Sequence, residues 1–357
     1  MDSRERTFLT LEHGRADRLP KDLWASDAMI RCIVAESGAP YAAFLDAHDV
    51  DLRYILGPRY IGPLLAPGRD IWGVCRTEVE VPTPYGAEWY SEVAESPLAR
   101  LDSVRDILAY PGWPSPDDYD YRVVQAQCRA LREAGRVVCF MGDRLNRVAQ
   151  LKPAMYLRGI EEAFLDLALR PDLADAVIGR IRAFYAVYLE RVLETAGGLI
   201  DIVVTGDDFG AQNGLLVSPA TWRKMLQPGF AEYLRVIADH GALSMHHTCG
   251  SVVAIIPDMI ASGLDILQSL QPEAAGMSLG PLMDAYGGQI AFHGGLSIQR
   301  TLPFGQPEDV RHEVQAVIEA VGGRGGYILC TAHNIQADTS MANVLALLAA
   351  YEEFGRY

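Results

Sequence analysis

His247 and Cys249, two positions apart in the chain, have the residue types and the spacing of metal ligands. At the end of an extended strand, positions i and i+2 point to the same side, so the imidazole and the thiol would lie close together. Cys330 follows another apolar run further along the chain. If both runs end at one mouth, the three side chains form a zinc site with an open position, as catalytic zinc requires. Taken alone, a histidine and a cysteine at this spacing are more often core residues.

The elements that must position these ligands form a regular series from residue 136 onward. Short apolar runs alternate with amphipathic stretches, which is typical of repeated βα units and a parallel sheet. The runs cover residues 136–141, 200–205, 243–247, 266–270, 289–292 and 327–330. Polar and titratable residues follow most of these runs, and in a barrel such positions share one face. We therefore predict a (β/α)8 TIM barrel with its site at that face.

The N-terminal third of the chain has a different composition and does not show the regular βα pattern. Residues 27–134 contain many prolines and a hairpin pattern at 72–90, with the turn at 83–86. We predict that this region is an N-terminal excursion that covers the barrel mouth. Since an α/β barrel can absorb the whole length, we expect one domain, residues 1–357, with 27–134 as an insertion within it.

Composition limits the classes of function. The chain has 357 residues, a formal net charge of −15 and a pI near 5.0, which argues against binding to nucleic acid or to anionic membranes. The first residues, MDSRERTFLTLEHG, lack the apolar core of a signal peptide, and no uncharged stretch is long enough to span a bilayer. The six cysteines are too scattered for a disulfide framework. We expect a cytoplasmic protein with reduced thiols.

Long stretches of the chain resemble the uroporphyrinogen-decarboxylase superfamily. They are HHTCGSVVAIIPDMIASGLDILQSLQP, HGGLSIQRTLPFGQPEDVRHEV, GDDFGAQNGLLVSPATWRKMLQP and GGYILCTAHNIQADTSMANVLAL. The resemblance covers nearly the whole chain and implies the barrel, with the site inside its mouth. Porphyrinogen decarboxylases carry an arginine-rich segment, R-Q-A-G-R, after the first strand, where residues 23–28 of this chain read LWASDA. Without an arginine there, a substrate with many carboxylates lacks its charge-assisted contacts.

The resemblance favours the methyltransferase branch of that superfamily. This branch is marked by H-x-C-x(n)-C zinc ligation, which His247, Cys249 and Cys330 match. It implies a zinc-dependent enzyme that moves a methyl group between a small donor, or a thiol or folate acceptor, and a corrinoid (a cobalamin). No segment here resembles a D-x-H-x-x-G corrinoid-binding motif, so the methyl-corrinoid is expected on a partner protein. The direction of transfer stays open, and we lean to the donor side, as in an O-demethylase. Relatives often form homodimers, but no surface pattern in the sequence decides the oligomeric state.

Further residues are candidates for the same site. His333 matches a histidine that the superfamily places in its site, which implies a proton donor or a support for a ligand. Asp207 and Asp208 can supply a weak fourth ligand or orient His247, although either can equally cap the following turn. For contacts with the substrate we name Trp24, Gln212, His293 and Asp143.

Two other classes of function remain open from the sequence. One is a metal-free decarboxylase of uroporphyrinogen-like or smaller carboxylic acids. The other is a non-catalytic binding protein on an enzyme scaffold, against which the intact ligand set argues.

Overall fold

The computed structural model describes residues 1–142 and 147–356. Its central sheet has the strand order β1-β6-β7-β10-β11-β12-β13, and every pairing within it is parallel. Because the spatial order follows the chain order, the strands curl around one axis as in a barrel. The helices that connect them lie outside.

The strands have the following bounds. They are β1 Leu52–Ile55, β2 Arg59–Tyr60, β3 Cys75–Thr83, β4 Gly86–Glu95, β5 Tyr119–Asp120, β6 Val137–Phe140, β7 Ile202–Gly206, β8 Gly210–Ala211, β9 Gly214–Leu215, β10 Leu243–His247, β11 Ile266–Leu270, β12 Ala291–Gly294 and β13 Tyr327–Ile328.

The helices are given in the same order. They are α1 Ser3–Leu11, α2 Asp27–Ser37, α3 Tyr41–Ala47, α4 Val104–Leu108, α5 Val123–Glu133, α6 Leu151–Arg158, α7 Ile160–Leu169, α8 Pro171–Ala196, α9 Pro219–Thr221, α10 Gln227–Asp239, α11 Ile256–Ala261, α12 Leu279–Tyr286, α13 Thr301–Phe304, α14 Pro307–Val321 and α15 Met341–Phe354.

A short extended segment at residues 20–22 closes the barrel between β13 and β1. The Leu329 amide donates to the Pro20 carbonyl, and the Asp22 amide donates to the Leu329 carbonyl, both at 2.8 Å. On the other side, the Asp51 amide donates to the Lys21 carbonyl at 2.9 Å. This segment takes the place of the eighth strand, and the predicted (β/α)8 fold is confirmed.

Two apolar layers fill the structure. The smaller one lies inside the barrel and joins inward-facing residues of several strands, among them Val137, Ile202 and Met245, together with Trp24 and Cys330. The larger one lies between the strands and the surrounding helices. This is the two-layer arrangement expected when strands alternate their side chains between two apolar environments.

The predicted strand runs agree closely with the observed strands. The runs at 243–247 and 266–270 coincide with β10 and β11, whereas β12 begins later than predicted and β13 ends at Ile328. The hairpin turn lies at 84–85, between β3 and β4. Residues 27–134 also contain the barrel strand β1, which the sequence analysis did not find because it is four residues long and carries Arg53.

The hairpin of β3 and β4 is attached to the loop that follows β13. The Thr83 hydroxyl and the Tyr85 amide donate to the Ala337 carbonyl at 2.7 and 3.1 Å. The Ala337 amide in turn donates to the Glu88 carboxylate at 2.8 Å. Within the described residues, no helix has both the length and the apolarity needed to cross a membrane.

Asp51 is a buried carboxylate that ties the closing segment to β1. It accepts hydrogen bonds from the Arg6 and Arg18 guanidinium groups, both at 2.6 Å, and from the Lys21 amide at 2.8 Å. Removing one partner of a buried ionic cluster leaves the other charges uncompensated, which typically costs about 3–5 kcal/mol.

We therefore predict that Asp51→Ala lowers the free energy of unfolding, measured by urea denaturation, by about 3–5 kcal/mol. Asp49→Asn is the matched control, because Asp49 pairs with the same Arg18 from a half-exposed position and asparagine tolerates its φ of 48°. The free energy of unfolding of this control variant is expected to fall by less than about 1 kcal/mol. Equal losses for the two variants would contradict the role assigned to Asp51.

Candidate metal centre and substrate cavity

A cavity of about 650 Å³ opens at the carboxyl ends of the barrel strands. His247, at the end of β10, and His333, after β13, both line it. Trp89 and Tyr90 of the hairpin line it as well. Its walls are rich in aromatic side chains: Trp24, Tyr41, Tyr54, Trp72, Trp89, Tyr90, Tyr156 and Tyr185.

Beside this cavity, His247, Cys249 and His333 form a group of three potential metal ligands. One ligand atom from each residue lies within 4.8 Å of the other two. The His247 Nε2 and Cys249 Sγ atoms are 3.5 Å apart. Two imidazoles and one thiol are ligands that zinc accepts, and three protein ligands leave a position for substrate. The donor set and its spacing therefore fit a catalytic zinc ion.

Gln268 orients the His247 imidazole. The two residues are register partners in the parallel pair β10–β11. The His247 Nδ1–H donates to the Gln268 side-chain oxygen at 2.5 Å, because an amide oxygen can only accept. This fixes the tautomer and turns the Nε2 lone pair toward Cys249, as partners of metal-binding histidines commonly do.

The electrostatics of the group favour neutral ligands in the metal-free protein. Burial, assisted by the charge of Arg147, lowers the pKa of His247 well below its usual value and that of His333 to about 4. Burial, assisted by the charge of Asp208, raises the pKa of the Cys249 thiol to about 12. Both histidines can therefore bind a metal without losing a proton, whereas Cys249 has to release one.

Asp207 and Asp208 have different contacts. The buried Asp207 carboxylate accepts the amides of Gln150, Leu151 and Lys152 at 2.6 to 2.9 Å, which caps the start of α6. Burial raises the pKa of Asp207 to about 6, partly offset by these backbone donors. Asp208 instead faces the metal group, with Oδ1 3.8 Å from His247 Nε2 and 3.2 Å from the Cys249 amide.

Lys152 neutralises Asp208. Its ammonium lies 2.6 Å from Oδ2 of that carboxylate, and Lys152 also lines the cavity. Burial opposes the ionised form of Asp208, but the charge and hydrogen bond of Lys152, together with further contributions that include the hydrogen bond from the Cys249 amide, lower the pKa of Asp208 below its usual range. Asp208 is thus an ionised carboxylate next to the metal group.

Cys330 lies in a second group, with Asp22 and His293, whose ligand atoms are also within 4.8 Å of one another. All three residues are buried and none of them lines the cavity. His293 Nε2–H donates to Asp22 Oδ2 at 2.9 Å. The Trp24 ring lies against both groups, with its centroid 5.9 Å from the His247 ring and 5.7 Å from the His293 ring.

The other predicted substrate residues are placed as follows. Trp24 lines the cavity, whereas Gln212 is exposed in the turn between β8 and β9. Asp143 lies outside the described residues. The sequence analysis did not single out Gln268, Lys152 or Asp22. Gln268 had a detectable signal, since it is an inward-facing polar residue of a predicted strand.

His246 points away from the site, as the alternation along β10 predicts. Its Nδ1 atom is 2.7 Å from the Thr205 hydroxyl, and its ring stacks on Phe209 with the centroids 5.2 Å apart. Burial lowers the pKa of His246 to about 3. The folded protein thus keeps His246 neutral at pH values where the unfolded chain binds a proton.

This burial predicts a contribution of His246 to acid sensitivity. The stability that the neutral ring contributes is present above about pH 6.5 and falls as the pH decreases toward 3, because only the unfolded state gains the proton. From pH 7 to pH 5, the loss of unfolding free energy should be about 2 kcal/mol smaller in His246→Phe than in wild type. Urea denaturation at both pH values measures this difference, and parallel pH profiles would contradict it.

The comparison with solved structures gives the following matches. Among solved structures, a methyltransferase from Methanosarcina mazei matches with a TM-score of 0.69 and 17% identity, over 99% of both chains. A D-psicose 3-epimerase from Clostridium cellulolyticum H10 matches at a TM-score of 0.40 and 10% identity, over 70% of this chain and 85% of that one. The E. coli 3-keto-D-glucoside 4-epimerase YcjR matches at 0.38 and 12%, over 65% and 93%.

The family comparison is decisive for identity. A search of curated proteins finds no match. The family model described as uroporphyrinogen decarboxylase (URO-D) matches residues 121–354, which is well over half of the chain. This segment contains β6 through β13 and the candidate metal group. The chain therefore belongs to the uroporphyrinogen decarboxylase family.

Proposed function

We propose that this protein is a zinc-dependent methyltransferase that moves a methyl group between a small molecule and a corrinoid carried by a separate protein. The observation that carries the proposal is the group of His247, Cys249 and His333 beside an aromatic-lined cavity. The fold shared with a methyltransferase supports the same class of enzyme.

A zinc ion held by this group supplies Lewis acidity toward a thiol, or toward the heteroatom that carries a methyl group. The residues of the chain provide the setting for that chemistry. Gln268 holds His247 in the tautomer that binds, and the Cys249 thiol is half-buried at the edge of the site. The aromatic walls exclude water from the reacting groups, which strengthens charge interactions inside the cavity.

The third ligand is where the sequence prediction and the geometry differ. The sequence names Cys330, while the structure groups His333 with His247 and Cys249. Cys330 is fully buried with Asp22 and His293, and it does not line the cavity. We propose His247, Cys249 and His333 as the zinc ligands, and Cys330 is the competing residue that the test must separate.

The cavity suits a small methylated substrate. Its aromatic walls can stack on a methoxylated ring, and they can equally attract a methylated ammonium through cation–π contacts. We place Trp24 among the residues that contact the substrate, since it lines the cavity and its ring centroid lies 5.9 Å from that of His247. The donor-side reaction, in which the small molecule gives up its methyl group, remains our preferred direction.

A decarboxylase of a smaller carboxylic acid is the second candidate. Four basic residues, Arg31, Arg76, Arg147 and Lys152, line the cavity and suit an anionic substrate. Among the described residues, Arg76 pairs with Asp70 and Lys152 pairs with Asp208. This alternative predicts turnover that needs neither metal nor corrinoid.

Zinc content and methyl transfer test the proposal together. Free cob(I)alamin replaces the corrinoid protein, with 2-methoxyphenol and trimethylamine as methyl donors. In the opposite direction, methylcobalamin is the donor and 2-mercaptoethanol the acceptor. We predict about one zinc per chain in wild type, and zinc-dependent conversion of the cobalamin absorption spectrum with at least one probe.

The variants assign the ligands. Cys249→Ala and His333→Ala should both lose zinc and transfer, because three-ligand sites rarely survive the loss of one ligand. Cys330→Ala is the matched control and should retain both. Zinc that is lost in Cys330→Ala but kept in His333→Ala would restore the sequence-predicted ligand set. A wild-type protein without zinc, active on an acid in the absence of cobalamin, would favour the decarboxylase.

A further inference from the structure

Trp24 is held in place by a chain of buried hydrogen bonds. The indole Nε1–H donates to the Tyr54 hydroxyl at 2.7 Å, and that hydroxyl donates to Asp22 Oδ2 at 2.6 Å. His293 Nε2–H donates to the same carboxylate oxygen at 2.9 Å. These hydrogen bonds therefore connect a cavity wall to groups in the barrel interior.

The direction of every bond in this chain is determined by chemistry. An indole N–H can only donate, so the Tyr54 oxygen must accept and its own proton must go to Asp22. Asp22 Oδ2 accepts from both the Tyr54 hydroxyl and His293, and the other Asp22 oxygen accepts the Leu23 amide at 2.8 Å. His293 is then a donor through Nε2, and its Nδ1 has no partner within the described part of the chain.

Because Trp24 lines the cavity, these hydrogen bonds affect the surface that the site offers to a substrate. Trp24 follows the segment at residues 20–22 that closes the barrel, and it lies between two parallel bridges, Lys21–Leu329 and Ala25–Ile335. Its ring lies 5.9 Å from the His247 ring at an interplanar angle of 30°. Because Tyr54 occupies the indole N–H, Trp24 offers the cavity a ring face and no hydrogen-bond donor.

We infer that Tyr54, Asp22 and His293 are positioning residues that fix the Trp24 indole as an apolar wall of the substrate cavity, next to the metal ligand His247. The part of this inference that concerns substrate rests on the function proposed above. It assigns His293 to the support of Trp24, in place of the direct contact with substrate that the sequence suggested. A buried polar chain of this kind restricts a side chain to one orientation only if every member is present.

Tyr54→Phe tests the inference, because it removes one oxygen atom and keeps the ring. The indole N–H of Trp24 then loses its acceptor, and the tryptophan fluorescence spectrum should change. Subtracting the spectrum of Trp24→Phe from that of wild type isolates the Trp24 signal among the five tryptophans. In the Trp24→Phe background, Tyr54→Phe should leave the spectrum unchanged.

Tyr41→Phe is the spectroscopic control. Tyr41 also lines the cavity, but its hydroxyl donates to the Leu23 carbonyl at 3.3 Å, not to the indole. It should leave the Trp24 difference spectrum as in wild type. A Tyr54→Phe spectrum identical to that of wild type would overturn the inference, whatever the activity of the enzyme.

The kinetic measurement uses a probe that the wild-type protein turns over, chosen from 2-methoxyphenol, trimethylamine and 2-mercaptoethanol. Tyr54→Phe should raise KM for that probe about fivefold and change kcat less than twofold, as expected when a wall that binds substrate loses one hydrogen bond. A changed spectrum with an unchanged KM would overturn the assignment of Trp24 to the substrate wall. Absence of turnover in wild type would count against the proposed function, while the spectra still decide whether Tyr54 positions Trp24.

Discussion

The alternation of side chains along β10 is the constraint on which the site depends. His246 and His247 are neighbours in sequence, yet the strand turns one toward the helices and the other into the barrel mouth. His246 is stacked on Phe209 and bonded to Thr205, so this strand cannot shift by one residue without burying His247 among aromatic side chains. The register that places His247 next to Gln268 follows from the same constraint.

Metal binding at His247 depends on the ionisation of the groups around it. Asp208 and Lys152 form a neutral pair at 2.6 Å, and both histidines of the metal group are neutral. The Cys249 thiol keeps its proton when buried without a metal, because burial and the charge of Asp208 outweigh the opposing charge of Lys152. A bound zinc ion changes that balance, and the binding of metal is therefore coupled to the release of a proton.

Much of the fold could be predicted from sequence, because its signals are local. Apolar runs of five residues and their polar successors predicted β10 and β11, and the His-x-Cys spacing pointed to two of the proposed ligands. The choice between Cys330 and His333 as the third proposed ligand depends on the loop that follows β13. The alternation of side chains continues through Cys330, which faces the barrel interior as Ile328 does, and beyond it a turn bonds the Thr331 hydroxyl to the His333 carbonyl at 2.6 Å.

Asp22 and Tyr54 illustrate a second limit of sequence reasoning. Both belong to very short extended segments, at residues 20–22 and in β1, that carry no clear periodic pattern. Their contact with Trp24 and His293 depends on barrel closure, which joins residues hundreds of positions apart. Local patterns therefore predicted most of the barrel strands, while the support beneath Trp24 required the three-dimensional structure.

The central claim is that His247, Cys249 and His333 bind zinc at the cavity. X-ray absorption at the zinc edge of the zinc-loaded full-length protein tests it most directly, because sulfur and imidazole ligands scatter differently and lie at about 2.3 and 2.0 Å from zinc. The account predicts one sulfur and two imidazole ligands from the protein, with one imidazole lost in His333→Ala. Two sulfur ligands in wild type, or a ligand set that His333→Ala leaves unchanged, would contradict it.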